Sequence, residues 1–318
     1  MPRICFSGTP QIAADHLVRM IAAGFVPGLV ISQPDRPAGR GRQLHMPEVK
    51  QLALEHGIEV WQPERIRQRA VIDQFVERQF DVHIVVAYGQ ILAERMFDAP
   101  ARGTFNSHAS LLPRWRGSAP IEWALIAGDT ITGVALQRVV RGLDEGPIVA
   151  QRELPIGPDD DRAMLYERLG RLGGELLTDT LPAIIAGTHT ETPQAAEGVT
   201  YAERLTAAHG QLDLTQSAAQ LHNRIRALHP HPGSRVTAVL EGDVRQSLKL
   251  VEAVAAAWPA ELPTPDVVPA PGTLLRAAHR LLVATGDGLL EIIQCQPDGK
   301  KAMPADAWCN GHKPVRFE

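Results

Sequence analysis

The segment Thr104-Phe105-Asn106-Ser107-His108 offers the first chemistry in the chain. Along a strand, residues two apart share a face, so Asn106 and His108 project together. A primary amide beside an imidazole can donate hydrogen bonds to an oxygen that becomes negative during acyl transfer. The imidazole can also carry a proton near neutral pH. Taken alone, Asn-x-His favours a structural pair. Asp144 shifts that balance. It lies between Gly142 and Gly146, in a loop joining two apolar strands, and glycines permit tight turns and close approach. A carboxylate there would orient the His108 ring, yet a solvated hairpin aspartate fits the spacing equally well.

Other chemistries find little support. There is no G-x-S-x-G to mark a serine nucleophile, and no G-x-G-x-x-G follows the first strand, so Gly8-Thr9-Pro10 does not suggest a dinucleotide site. Cys5, Cys295 and Cys309 lack C-x-x-C spacing and are expected to be small buried thiols in a reducing cytoplasm. His229-Pro230-His231 reads as a surface turn, and no metal is expected.

These side chains need elements to hold them. Strands are expected at Ile4 to Gly8, Leu29 to Ser32, Ile58 to Trp61, Val82 to Ala87 and Thr104 to His108. They alternate with helices at Gln11 to Ala23, Pro47 to His56 and Ile66 to Gln79, and Gln33 to Pro47 reads as a long polar loop. Such alternation implies parallel pairing in a doubly wound α/β sheet, with ligands beyond the carboxyl ends of the strands. The strands Thr132 to Val140 and Ile148 to Leu154 follow a helix at Pro120 to Ala127. A long helix then covers Arg162 to Ala186. Near Gly187 the texture changes, and the stretch after it, rich in Thr, Ala, Glu and Pro, reads as a linker. A helix at Ser217 to Leu228 and closely spaced short strands suggest a small β-barrel. The organisation expected is a catalytic domain over 1–187, a linker over 188–205 and a second domain over 206–318.

Asn106-x-His108, then Ser110-Leu111-Leu112-Pro113, then Asp144, resembles the core of the folate-dependent formyltransferases. The longer runs Ser110 to Ile121 and Gln33 to Gly41 resemble members of that family that act on a charged tRNA. So do Val85 to Gly89, Thr200 to Leu205, Ala284 to Gly288 and Gln296 to Met303. The resemblance implies a Rossmann-like domain followed by an OB-like barrel. It implies Asn106, His108 and Asp144 as the catalytic triplet, and Ser110, Leu111, Leu112 and Pro113, with Ala87, Tyr88 and Gly89, as the folate site. The implied donor is 10-formyltetrahydrofolate and the implied acceptor is methionyl initiator tRNA. A sugar nucleotide or another small amine is the alternative acceptor.

The formal net charge is −4 over 318 residues, which weighs against wrapping nucleic acid with one basic face. RNA would have to be held by local clusters. Arg36, Arg40 and Arg42 oppose only Asp35 between Gln33 and Pro47, and arginine forks suit phosphates and base edges. Arg114 and Arg116 flank Trp115, and Arg204, Lys300 and Lys301 complete the candidate contacts. No apolar run is long enough for a membrane span, and a monomer is expected.

Overall fold

The protein is described here by a computed structural model covering residues 2–38, 43–263, 265 and 267–318. The chain divides into two compact units. The first comprises Met1–Pro120, Thr130–Gly157 and Ala163–Ala202; the second comprises Ile121–Asp129, Pro158–Arg162 and Glu203–Glu318.

In the first unit a seven-stranded sheet runs Ile148–Pro155, Ile131–Arg138, Thr104–His108, Val82–Val86, Ile4–Gly8, Leu29–Ile31, Val60–Trp61. All five residues of Ile4–Gly8 are buried, as expected of a central parallel strand covered on both faces. It pairs in parallel with Leu29–Ile31 on one side and Val82–Val86 on the other, so Cys5 sits opposite both Leu29 and His83. The order reverses there, and a crevice at such a switch point is where doubly wound sheets take ligands. Thr104–His108 extends the parallel set, with Val85 opposite Asn106.

The last two strands are antiparallel: Ile131–Arg138 runs against Thr104–His108 and against Ile148–Pro155. The connection from Arg138 to Ile148 is a short loop rather than a crossover, and that makes the outermost pair antiparallel. Two expectations need correction. The loop expected over Gln33 to Pro47 contains an antiparallel strand pair, Arg36–Ala38 with Gln43–His45. The helix expected from Ile66 begins only at Arg69 and ends at Glu77. Ile66 is buried, and its backbone N–H donates to Gln90 Oε1 at 2.8 Å, so that residue is claimed before the helix starts.

The second unit is a nearly closed antiparallel barrel, ordered Leu274–Ala277, Arg280–Ala284, Leu289–Pro297, Val244–Ala256, Ser234–Leu240, Pro314–Phe317. A bridge from Thr273 to Arg316 and a bond from Phe317 N–H to the Gly272 carbonyl bring the ends together. The helix Ala218–Leu228 packs on this sheet through Leu221 and Ile225. It is started by a capping box in which Ser217 Oγ accepts from Gln220 N–H and Gln220 Oε1 accepts from Ser217 N–H. The helix Ala305–His312 and the strand Pro314–Phe317 have no counterpart in the expected elements; fully buried Trp308 anchors them. Cys5, Cys295 and Cys309 are free and buried. Among the described residues no helix is long and apolar enough to cross a membrane.

Candidate active site

Asn106 and His108 stand at the carboxyl end of the parallel strand Thr104–His108. Behind them, on the opposite face, Ser107 Oγ donates at 2.9 Å to His16 Nε2, because His16 Nδ1 is committed to the Ile12 carbonyl at 2.7 Å. The strand is therefore pinned from beneath. His108 is only 6% exposed, and its Nε2 donates to the Trp115 carbonyl at 2.9 Å. That fixes the ring and leaves Nδ1 facing Asp144, 3.8 Å from Oδ2.

Asp144 reaches the same point from the turn between the two antiparallel strands. Its carboxylate accepts from Gly117 N–H at 2.9 Å, Gln137 Nε2 at 2.8 Å and Asn106 Nδ2 at 3.4 Å. Its backbone has φ of 52°, a conformation that costs energy for any residue with a side chain. Gly146 is required a little further on, since a Cβ there would lie 1.7 Å from the Arg138 carbonyl oxygen. Amide, imidazole and carboxylate thus converge, with Asn106 half-buried between them.

Two residues that sequence reasoning missed complete the cluster. Gln137 is 2% exposed and aims its amide at Asp144. Gln194, from the stretch expected to be linker, donates through Nε2 to the Asp144 carbonyl at 2.7 Å and the Gly146 carbonyl at 2.8 Å. The strand Ile131–Arg138 is buried continuously from Thr132 to Gln137, and a glutamine closing so apolar a run is a usable signal. Gln194 carries no local pattern.

The remaining candidates fall in several places. Ala87 and Gly89 are exposed on the turn after Val82–Val86, both with positive φ (44° and 90°). Tyr88 points inward, packed with Cys5, Leu29 and Phe75; only its backbone belongs to the turn, where its carbonyl accepts from Thr9 Oγ1 and Gln33 Nε2. Burial pushes the Tyr88 phenol up. Ser110 and Leu112 are likewise buried, with Ser110 Oγ donating to the Arg114 carbonyl and Gln151 Nε2 donating to the Leu112 carbonyl. Leu111 and Pro113 are half-buried and remain the side chains of that run able to meet a ligand.

Of the basic residues, Arg36 is exposed and paired with Glu64 at 2.7 Å. Asp35 does not neutralise it, being bound to Lys50 and Gln62. Arg40 and Arg42 lie outside the described residues. Arg114 sits over the Trp115 ring at 4.3 Å. Arg116 is 9% exposed and grips Gln194 Oε1 through Nε and Nη2, with Glu145 at 3.5 Å. That inward position sets its guanidinium against Gln194 and Glu145, beside the Asp144 turn. Arg204, Lys300 and Lys301 are exposed. Among the described residues no three His, Cys, Asp or Glu side chains gather as a metal site would require.

A parallel sheet presenting this cluster, followed by a barrel, is the architecture of a formyltransferase. The formyl transferase family model matches residues 3–181 and the formyl transferase C-terminal domain model matches residues 204–313. A sugar 3N-formyl transferase solved with dTDP and 5-N-formyl-THF shares the fold, with a TM-score of 0.65 at 18% identity, covering 95% of this chain and 99% of that one. HypX from Aquifex aeolicus, solved with tetrahydrofolic acid, aligns with a TM-score of 0.59 at 17% identity over 97% of this chain and 47% of its own.

Closer in sequence are the methionyl-tRNA formyltransferases of Symbiobacterium thermophilum and Halorhodospira halophila. The first is 42% identical, covering 98% of this chain and 93% of the relative; the second is 43% identical, covering 99% and 98%. The chain belongs to the methionyl-tRNA formyltransferase family.

Proposed function

We propose that the protein transfers the formyl group of 10-formyltetrahydrofolate to the free amine of methionyl initiator tRNA, giving N-formylmethionyl-tRNA for translation initiation. The supporting observation is the convergence of Asn106, His108 and Asp144 beyond the parallel sheet, in a chain so similar over its whole length to methionyl-tRNA formyltransferases.

The neutral methionyl amine attacks the formyl carbon directly, with no acyl-enzyme. A bond forms from amine nitrogen to carbon, and the carbonyl pair moves to oxygen. Asn106 and the protonated His108, the latter through its Nδ1–H, stabilise that oxyanion. Asn106 has a second amide hydrogen beyond the one turned to Asp144. Asp144 orients His108 and helps pass the amine proton, directly or through water, to the departing folate nitrogen as the oxyanion's pair restores the carbonyl and the bond from that nitrogen to carbon breaks. The folate lies along Ala87 to Gly89 and Ser110 to Pro113, where it meets backbone together with Leu111 and Pro113. Holding both reactants supplies the proximity contribution, up to about 7–11 kcal/mol in well-oriented systems. On the RNA side we assign Arg36, Arg40, Arg42, Arg114, Arg204, Lys300 and Lys301, and assign Arg116 to the Asp144 turn.

Asn106→Ala, His108→Ala and Asp144→Ala should each lower turnover about 10²–10³-fold, the usual effect of losing one oxyanion donor, while tRNA binding persists. Near-normal turnover in all three would remove the site. An acceptor screen with 10-formyltetrahydrofolate should select methionyl-tRNA; transfer to an amino-sugar nucleotide instead would replace the acceptor and keep the chemistry. Arg40→Ala should weaken activity on charged tRNA with little change in donor binding.

A further inference from the structure

The stretch from Thr192 to Ala202 is bound to the active-site turns along much of its length. Thr192 exchanges both backbone hydrogen bonds with Ile148, just past the Asp144 turn. Gln194 follows. Thr200 then accepts Trp115 N–H on its Oγ1 at 2.8 Å and Arg116 N–H on its carbonyl at 2.9 Å. Tyr201–Ala202 pairs in parallel with Arg116–Gly117. The backbone thus held is functionally placed: the Trp115 carbonyl receives His108 Nε2, and Gly117 N–H donates to Asp144. Gly117 has φ of 120°, and a Cβ there would stand 2.6 Å from the Ala202 carbonyl oxygen. The strap and the turn are in direct backbone contact.

Gln194 is the one side chain of the strap that reaches across to Asp144's own turn. Its orientation is fixed by chemistry. The Arg116 guanidinium, which only donates, faces Oε1. The carbonyls of Asp144 and Gly146, which only accept, face Nε2, and Gln137 Oε1 lies 3.2 Å from the same nitrogen. A carboxamide satisfies both sides at once; neither a carboxylate nor an alkyl group does. The two carbonyls flank a residue held at positive φ, so their partner maintains a conformation the backbone would otherwise leave.

We propose that Gln194 is a positioning residue for formyl transfer: its carboxamide holds the Asp144–Gly146 turn so that the Asp144 carboxylate faces His108 and Asn106. This deepens the proposed function and rests on Asp144 acting in it.

The test is a double-mutant cycle on the full-length protein with Gln194→Glu, Gln194→Ala and Asp144→Asn. Rates are read as single turnovers on methionyl-tRNA with 10-formyltetrahydrofolate. Gln194→Glu preserves shape and the Arg116 contact but sets a carboxylate oxygen against two carbonyls. It should lower kcat by up to about 10²-fold, the scale of a displaced catalytic group, with KM for the donor nearly unchanged and the melting temperature close to the parent's. In the Asp144→Asn background the same change should cost little more, since residues acting as one unit are not additive. Losses that multiply independently would make Gln194 merely structural and overturn the proposal, as would full activity of both Gln194 variants. If Asp144→Asn itself is fully active, the catalytic reading fails first, and that outcome is read from the single variant alone.

Discussion

Asp144 sits at positive φ with its carboxylate and its carbonyl both engaged, so small changes in its turn should register as lost rate before lost fold. Gly146→Ala tests this. The added methyl has no room against the Arg138 carbonyl, so the turn must open. We expect turnover to fall by about 10²-fold with donor affinity retained, as steady-state kinetics would show; an unchanged kcat would mean that Asp144's aim is unimportant. At this scale the sequence is readable where chemistry and periodicity coincide. Asn106 and His108 share a face because they are two apart on a strand. Asp144 requires the resemblance, because its spacing also fits a surface hairpin. Gln194 escapes notice altogether. Its acceptors lie some fifty residues away along the chain, and a glutamine in a polar stretch signals nothing locally.

Among the elements, the long helix Arg162–Ala186 shows how the strand Thr104–His108 is fixed from behind. Its Gly170, Gly173 and Gly174 face the helix Gln11–Ala22. By propensity alone, alanine in a helix is favoured over glycine by about 1 kcal/mol. A Cβ at Gly173, however, would lie 2.3 Å from His16 Nε2, and that ring is tied at both nitrogens. At Gly170 the nearest atom is the carboxylate tip of Asp15, which can swing away. Gly173→Ala should therefore destabilise by about 1–3 kcal/mol, as overpacking does, and Gly170→Ala should be near neutral. Urea denaturation of the two variants ranks them; equal effects would show that His16 yields freely. The elements that pattern reading missed share a cause. The strand Arg36–Ala38 is three residues long and contains Pro37, and the helix Ala305–His312 gains its place from tertiary burial of Trp308 rather than from periodicity.

For the molecule as a whole, two buried histidines set how it meets acid. Burial pulls His16 down to about 4 and His83 down to about 3, where Ser7 Oγ sits 2.7 Å from His83 Nε2. Both folded values lie below the unfolded value near 6.5. Above that pH neither state binds the proton and stability is at its full value. As pH falls through it, only the unfolded chain takes up protons, so stability declines until pH reaches the folded values. Each ring adds a slope approaching about 1.4 kcal/mol per pH unit in that window. Denaturation midpoints should therefore fall from about pH 6 to 4.5, and more gently in His16→Gln; identical slopes would mean that His16 is charged inside the fold. The sheet followed by a barrel could be anticipated from alternating elements and from closely spaced short strands, and the hairpin at the sheet's edge from the short connection between its strands.

The strap from Thr192 to Ala202 also bears on how the polypeptide can be dissected. Composition invites a cut at the end of the long helix, near Gly187, to isolate a minimal transferase. Such a fragment would discard Gln194, the Thr200 anchors and the Tyr201–Ala202 pairing, leaving the Asp144 turn without its far wall. An excised module or chimaera needs its seam beyond Ala202, because what looks like tether in the alphabet of residues is masonry around the Asp144 turn.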